Sequence, residues 1–169
     1  MKHFIATALA ILSLGTSSGM VLAHGDQAHG QQAPAAAPAH DGHAAALGEP
    51  GDAARVTRRI RIVMSDAMRF SPAAIEVRSG EIVRFEVVNA GKVKHELVLG
   101  TRQELADHAA QMRKHPEMEH DDPNAVAVAP GRTGTLVWKF AGAGRFEFAC
   151  LLPGHFEAGM VGQVAVRAK

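Results

Sequence analysis

The sequence predicts an all-β domain, a sandwich or barrel of about eight short strands with one inserted helix. Three observations carry that expectation. From Val56 onward apolar and polar residues alternate in short runs, successive runs are separated by Gly, Pro, Asn or Ser, and a single stretch, Arg102 to Lys114, departs from alternation. Period two places one face of each run on a core, and the turn residues break the chain between runs.

The elements follow in order. Val56 to Met64 carries Ile60, Ile62 and Met64 at period two, and Phe70-Ser71-Pro72 turns the chain. Ile75 to Arg78 alternates again, and Ser79-Gly80-Glu81 leads into Ile82 to Val88. His95 to Leu99 forms the next strand after Asn89-Ala90-Gly91, and later strands are Ala125 to Ala129, Thr133 to Phe140, Arg145 to Ala149 and Gly162 to Arg167. Arg102 to Lys114 holds helix formers without Gly or Pro, Thr101 and Glu104 sit at capping-box spacing, and Pro116 limits the far end.

Two segments precede this domain. Lys2 followed by the apolar run Phe4 to Leu14 and the small residues of Val21-Leu22-Ala23 reads as an export signal over residues 1–23, too short to span about 30 Å of hydrocarbon as a helix. Cleavage after Ala23 leaves an exported, periplasmic chain with no membrane insertion. Residues 24–54, dominated by Ala, Gly and Pro, are expected to form a disordered linker carrying His24, His29, His40 and His43, with the folded domain over 55–169. Those imidazoles are either weak metal ligands or incidental.

Composition excludes several functions. Among 169 residues, 18 Lys and Arg face 17 Asp and Glu, leaving no basic stripe for nucleic acid. One Cys rules out an internal disulfide, an iron–sulfur cluster needing several thiolates, and a binuclear copper centre needing two. No spacing of Ser, His and Asp or of paired carboxylates argues for hydrolysis, and no enzymatic activity is expected. What remains distinctive is ten His, seven Met and that one Cys.

Cys150, His155 and Met160 fall on one loop between two predicted strands, and His95 opens an earlier strand. Two imidazoles, a thiolate and a thioether make the donor set of a type 1 copper site: sulfur favours Cu(I), imidazole accepts Cu(II), and a compromise geometry serves both.

The Cys-x4-His-x4-Met loop with its Pro153-Gly154-His155 element resembles the cupredoxins, over about residues 56–169. More narrowly, His95 to Gly100, the segment His115 to Asn124, and Phe148-Ala149-Cys150 are similar to periplasmic cupredoxins linked to copper tolerance. The resemblance implies a Greek-key β-sandwich, His95, Cys150 and His155 as strong ligands, and Met160 as a long axial one. Many cupredoxins carry Asn after the first His ligand, where its side chain ties the two ligand loops together. Here Glu96 stands there, able to accept backbone bonds but not to donate when ionised. The amides of Glu96 and Leu152 are in place to reach the Cys150 sulfur, whereas Pro153 has none.

Copper ions are the implied partner, and three roles follow from one site: copper handling and tolerance, diffusible electron transfer to a periplasmic redox enzyme, or delivery of copper to another protein. Leu151, Phe156 and Ala158 are candidates for an apolar docking ring around His155. The surplus of His and Met favours copper handling. It also suggests a second copper site built from Met64, Met68, Met112, Met118 and His120, with His108, Met112 and His115 on one helix face. The competing reading is that the helix Met packs on the sheet.

Overall fold

In a computed structural model that describes residues 46–117 and 122–169, ten strands form two five-stranded sheets around one core. The strands are β1 (Gly48–Pro50), β2 (Arg58–Ser65), β3 (Arg69–Ser71), β4 (Ala74–Arg78), β5 (Ile82–Asn89), β6 (His95–Gly100), β7 (Ala125–Val128), β8 (Thr133–Phe140), β9 (Gly144–Ala149) and β10 (Val161–Arg167). Helix α1 (Arg102–Lys114) lies between β6 and β7. One sheet runs β1-β8-β5-β2-β3 and the other β4-β10-β9-β6-β7. The pairs β2·β5 and β4·β10 are parallel, so the chain crosses between sheets rather than meandering within one. No helix among the described residues is long and apolar enough to cross a membrane.

Alternation does what the sequence implies. In β2, Ile60, Ile62 and Met64 point into the core while Arg59 and Arg61 face out, and Phe85 and Val87 of β5 complete that wall. From the second sheet Leu97, Leu99, Phe148, Val164 and Val166 face them. Phe70 meets Phe148 edge-on at 5.0 Å, and Phe85 meets Phe140 at 6.3 Å, each pair contributing about 0.5–1.5 kcal/mol beyond area burial.

Helix α1 covers the outer face of the second sheet. Its capping box closes in both directions, with Thr101 Oγ1 accepting the Glu104 amide and Glu104 Oε2 accepting the Thr101 amide at 2.8 Å. Loss of such a cap costs about 1 kcal/mol. Leu105, Ala109 and Met112 share the buried stripe and pack with Val98, Ala149 and Leu151. Val98 and Ala149 are cross-strand partners, so the helix holds together the two strands that lead to the site.

Two short strands depart from the expectation. Gly48–Pro50 pairs with Phe140–Trp138 of β8, and Leu47 is buried, so the end of the expected linker belongs to the fold and the domain begins before residue 55. Burial of Leu47 and the ladder to β8 outweigh the local Ala/Gly/Pro composition. Arg69–Ser71, read as part of a turn, pairs with Val63–Ser65 of β2. The expected export signal at 1–23 and residues 24–45 of the linker lie outside the described residues.

Candidate metal centre

β6 and β9 run antiparallel, with Val98 opposite Ala149. That register carries the start of β6 alongside the residues just after β9, bringing His95 beside Cys150 although 55 positions separate them. The 150–160 loop then folds on its own backbone. The His155 amide donates to Leu152 O at 2.9 Å, Ala158 to Gly154 O at 3.1 Å, and Met160 to His155 O at 3.0 Å. The Cys150 amide donates to Met160 O at 3.1 Å, closing the loop at its base. Gly154 and Gly159 both take φ of +85°, a left-handed conformation that side chains disfavour, so the tight loop needs glycine at both places.

The result is a convergence of donors. Cys150 Sγ lies 3.2 Å from His155 Nδ1, which lies 3.2 Å from His95 Nδ1, and all three donor atoms fall within 4.8 Å of one another. Separations of this size suit ligands sharing one ion at roughly 2.0–2.3 Å. Two imidazole nitrogens and one sulfur match copper by chemistry. Met160 is fully buried in the inter-sheet core with Cys150 and is tied to both ligands through its backbone.

Carboxylates and amides surround the donors. Burial pushes the Cys150 thiol up to about 11, against the amides of Glu96 and Leu152, which bond the sulfur and favour its anion. These are the two amides expected from sequence. Burial, then the neighbouring His95, lowers the pKa of His155, favouring the neutral imidazole that a metal needs. Glu96 Oε1 accepts the Leu151 amide at 2.9 Å, so a carboxylate ties the β6 side of the site to the ligand loop by acceptance alone.

Sequence reasoning passed over two residues here. Asp66, on the β2–β3 turn, places Oδ1 3.1 Å from His95 Nε2. Arg69 donates to the carbonyls of Met68, at 2.7 Å, and Ala158, at 2.9 Å, strapping that turn to the ligand loop. Neither carries a local signal, since a lone Asp in a turn is ordinary turn chemistry. Arg113 of α1 also pairs with Glu157 of the loop.

Of the second copper site expected from Met64, Met68, Met112, Met118 and His120, the described methionines are not all brought together. Met64 is fully buried between the sheets, and Met112 packs under α1 on the opposite face of the second sheet. Met68 packs against the inter-sheet core from the turn, whereas Met118 and His120 lie outside the described residues. Apolar burial of the two Met side chains won over shared metal chemistry. The docking ring also changes, because Leu151 is buried against α1 and Phe156 packs on the same cluster, leaving Ala158 exposed.

Comparison with known proteins agrees with this geometry. The chain is 58% identical over 139 residues to the copper-resistant cuproprotein CopI of Rubrivivax gelatinosus, covering 82% of this chain and 83% of that protein. It is 40% identical over 162 residues to the copper-resistant cuproprotein CopI of Pseudomonas aeruginosa, covering 79% and 89%. Among solved structures, auracyanin B superposes with a TM-score of 0.57 at 21% identity, over 71% of this chain and 94% of that one, which speaks for the fold. Residues 59–167 match the copper binding proteins of the plastocyanin/azurin family. The chain belongs to that family of copper-binding proteins, the cupredoxins.

Proposed function

We propose that this chain is an exported copper-handling protein that protects the periplasm from excess copper. It binds copper through His95 Nδ1, Cys150 Sγ and His155 Nδ1, with Met160 as a weak fourth ligand. The observation that carries the reading is the convergence of those three donor atoms within 4.8 Å. Similarity to proteins named as copper-resistant cuproproteins supports the physiological role.

Copper, when bound, supplies a one-electron Cu(I)/Cu(II) couple. The chain's own residues do the rest. Cys150 loses its proton and offers sulfur held by two amides, and full burial of His95 and Met160 keeps bulk water off that side. Preorganisation by the loop's backbone ladder keeps the donors close in either oxidation state, which suits electron exchange without large rearrangement. His155, half-buried, is the ligand nearest solvent and the route by which an electron enters or leaves. That partial exposure also favours a second reading, a diffusible carrier serving a redox enzyme.

Deletion of the encoding gene tests the role. Copper sensitivity with normal respiration, restored by the wild-type chain but not by Cys150→Ser, is the expected result. Impaired respiration with unchanged copper tolerance would favour the carrier instead.

A further inference from the structure

Asp66 meets three groups at once. Its Oδ2 accepts the Lys92 amide at 2.7 Å, while Oδ1 faces the Val93 amide at 3.5 Å and His95 Nε2 at 3.1 Å. The carboxylate therefore joins the β2–β3 turn to the segment that leads into His95. Gly91 makes the room: a Cβ there would lie 1.9 Å from Asp66 Oδ1. Partly exposed and accepting backbone amides, Asp66 is an ordinary carboxylate, ionised at neutral pH.

An ionised carboxylate can only accept, so the proton on His95 sits on Nε2 and the lone pair on Nδ1. Nδ1 is the atom that faces His155 and Cys150. On the ligand set proposed above, we infer that Asp66 is a positioning residue for the metal centre. It fixes the tautomer and ring plane of His95 and, through its negative charge, makes that imidazole a stronger donor, favouring Cu(II) over Cu(I). Carboxylate partners of ligating histidines act in this way, and their loss costs about 10–100-fold in metal affinity. Neither Glu96, which serves the loop, nor Arg69, which serves the turn, can replace it at Nε2.

The test compares the full chain with Asp66→Ala, Asp66→Asn and Gly91→Ala. Cu(II) affinity by chelator competition, reduction potential and visible spectrum are measured, with urea unfolding of the metal-free chains alongside. Asp66→Ala is expected to weaken Cu(II) binding about 10–100-fold and to raise the potential. Asp66→Asn keeps one acceptor oxygen without the charge and should fall between it and wild type. Gly91→Ala retains the carboxylate but forces it off His95, and should follow Asp66→Ala. A merely structural role would shift the unfolding midpoint and leave the potential where it was; that result overturns the inference, as do variants whose affinity and potential equal wild type. If wild type itself lacks an intense visible band removable by Cys150→Ser, the ligand set fails and the inference falls with it. A normal wild-type band beside unchanged Asp66 variants removes the positioning role alone.

Discussion

The two histidines of the site are held in opposite ways. His95 opens a strand paired on both sides, is fully buried, and is fixed from behind by a carboxylate 29 positions earlier in the chain. His155 sits on a loop, is only half-buried, and is held mainly by that loop's own backbone bonds. One half of the site is thus built by tertiary contacts and the other by local chain geometry. The division separates tasks: the buried half sets ligand identity and orientation, and the loop half supplies contact with the outside.

That comparison makes unequal predictions for equal substitutions. In the metal-free chain His95→Ala should cost about 2–4 kcal/mol in urea unfolding, because it leaves a buried cavity and removes the partner of Asp66. His155→Ala should cost about 1 kcal/mol or less, as expected where solvent already reaches the side chain. Equal costs would break the contrast.

Glu96 is the bridge between the halves. Glu96→Ala leaves the Leu151 amide without its acceptor and should cost about 1–3 kcal/mol. Glu96→Gln retains a carbonyl oxygen and should recover part of that loss; failure to do so would show that the acceptor is not what ties the strands together.

Met160→Leu keeps the core volume and should cost under about 1.5 kcal/mol. Copper should be retained with a raised reduction potential, since a long thioether bond is weak. Complete loss of copper from a folded Met160→Leu chain would remove the weak-ligand assignment.

The smallest effect belongs to Arg69. Its guanidinium is exposed, so Arg69→Ala should change global stability by less than about 1 kcal/mol. Hydrogen exchange at the amides of Ala158 and Gly159 should nevertheless quicken, because the loop loses its strap to the turn. Unchanged exchange there would mean the loop's own ladder suffices.

The same division explains what could be read from the sequence. β2, β5 and β8 were legible because alternation over eight residues gives one face to the core, and α1 because a capping box opens a stretch free of Gly and Pro. Cys150, His155 and Met160 announce themselves by spacing on one loop, and backbone geometry turns that spacing into proximity. β1 and β3 were missed because three residues cannot show a period, and Leu47 gains its burial from β8, far away in the chain. Asp66 was invisible for the same reason: its partner is chosen by how two loops meet, which no local pattern encodes. The Met residues misled because thioether serves core packing and metal binding equally well.

The central claim is that Cys150 sulfur and two imidazoles share one copper ion. The most direct measurement is the visible absorption of the Cu(II)-loaded chain beside that of Cys150→Ser. An intense visible band in the wild type, absent from a folded Cys150→Ser chain, is the predicted result, because the band arises from charge transfer out of the thiolate. An equally intense band in Cys150→Ser, or none in the copper-loaded wild type, would contradict it.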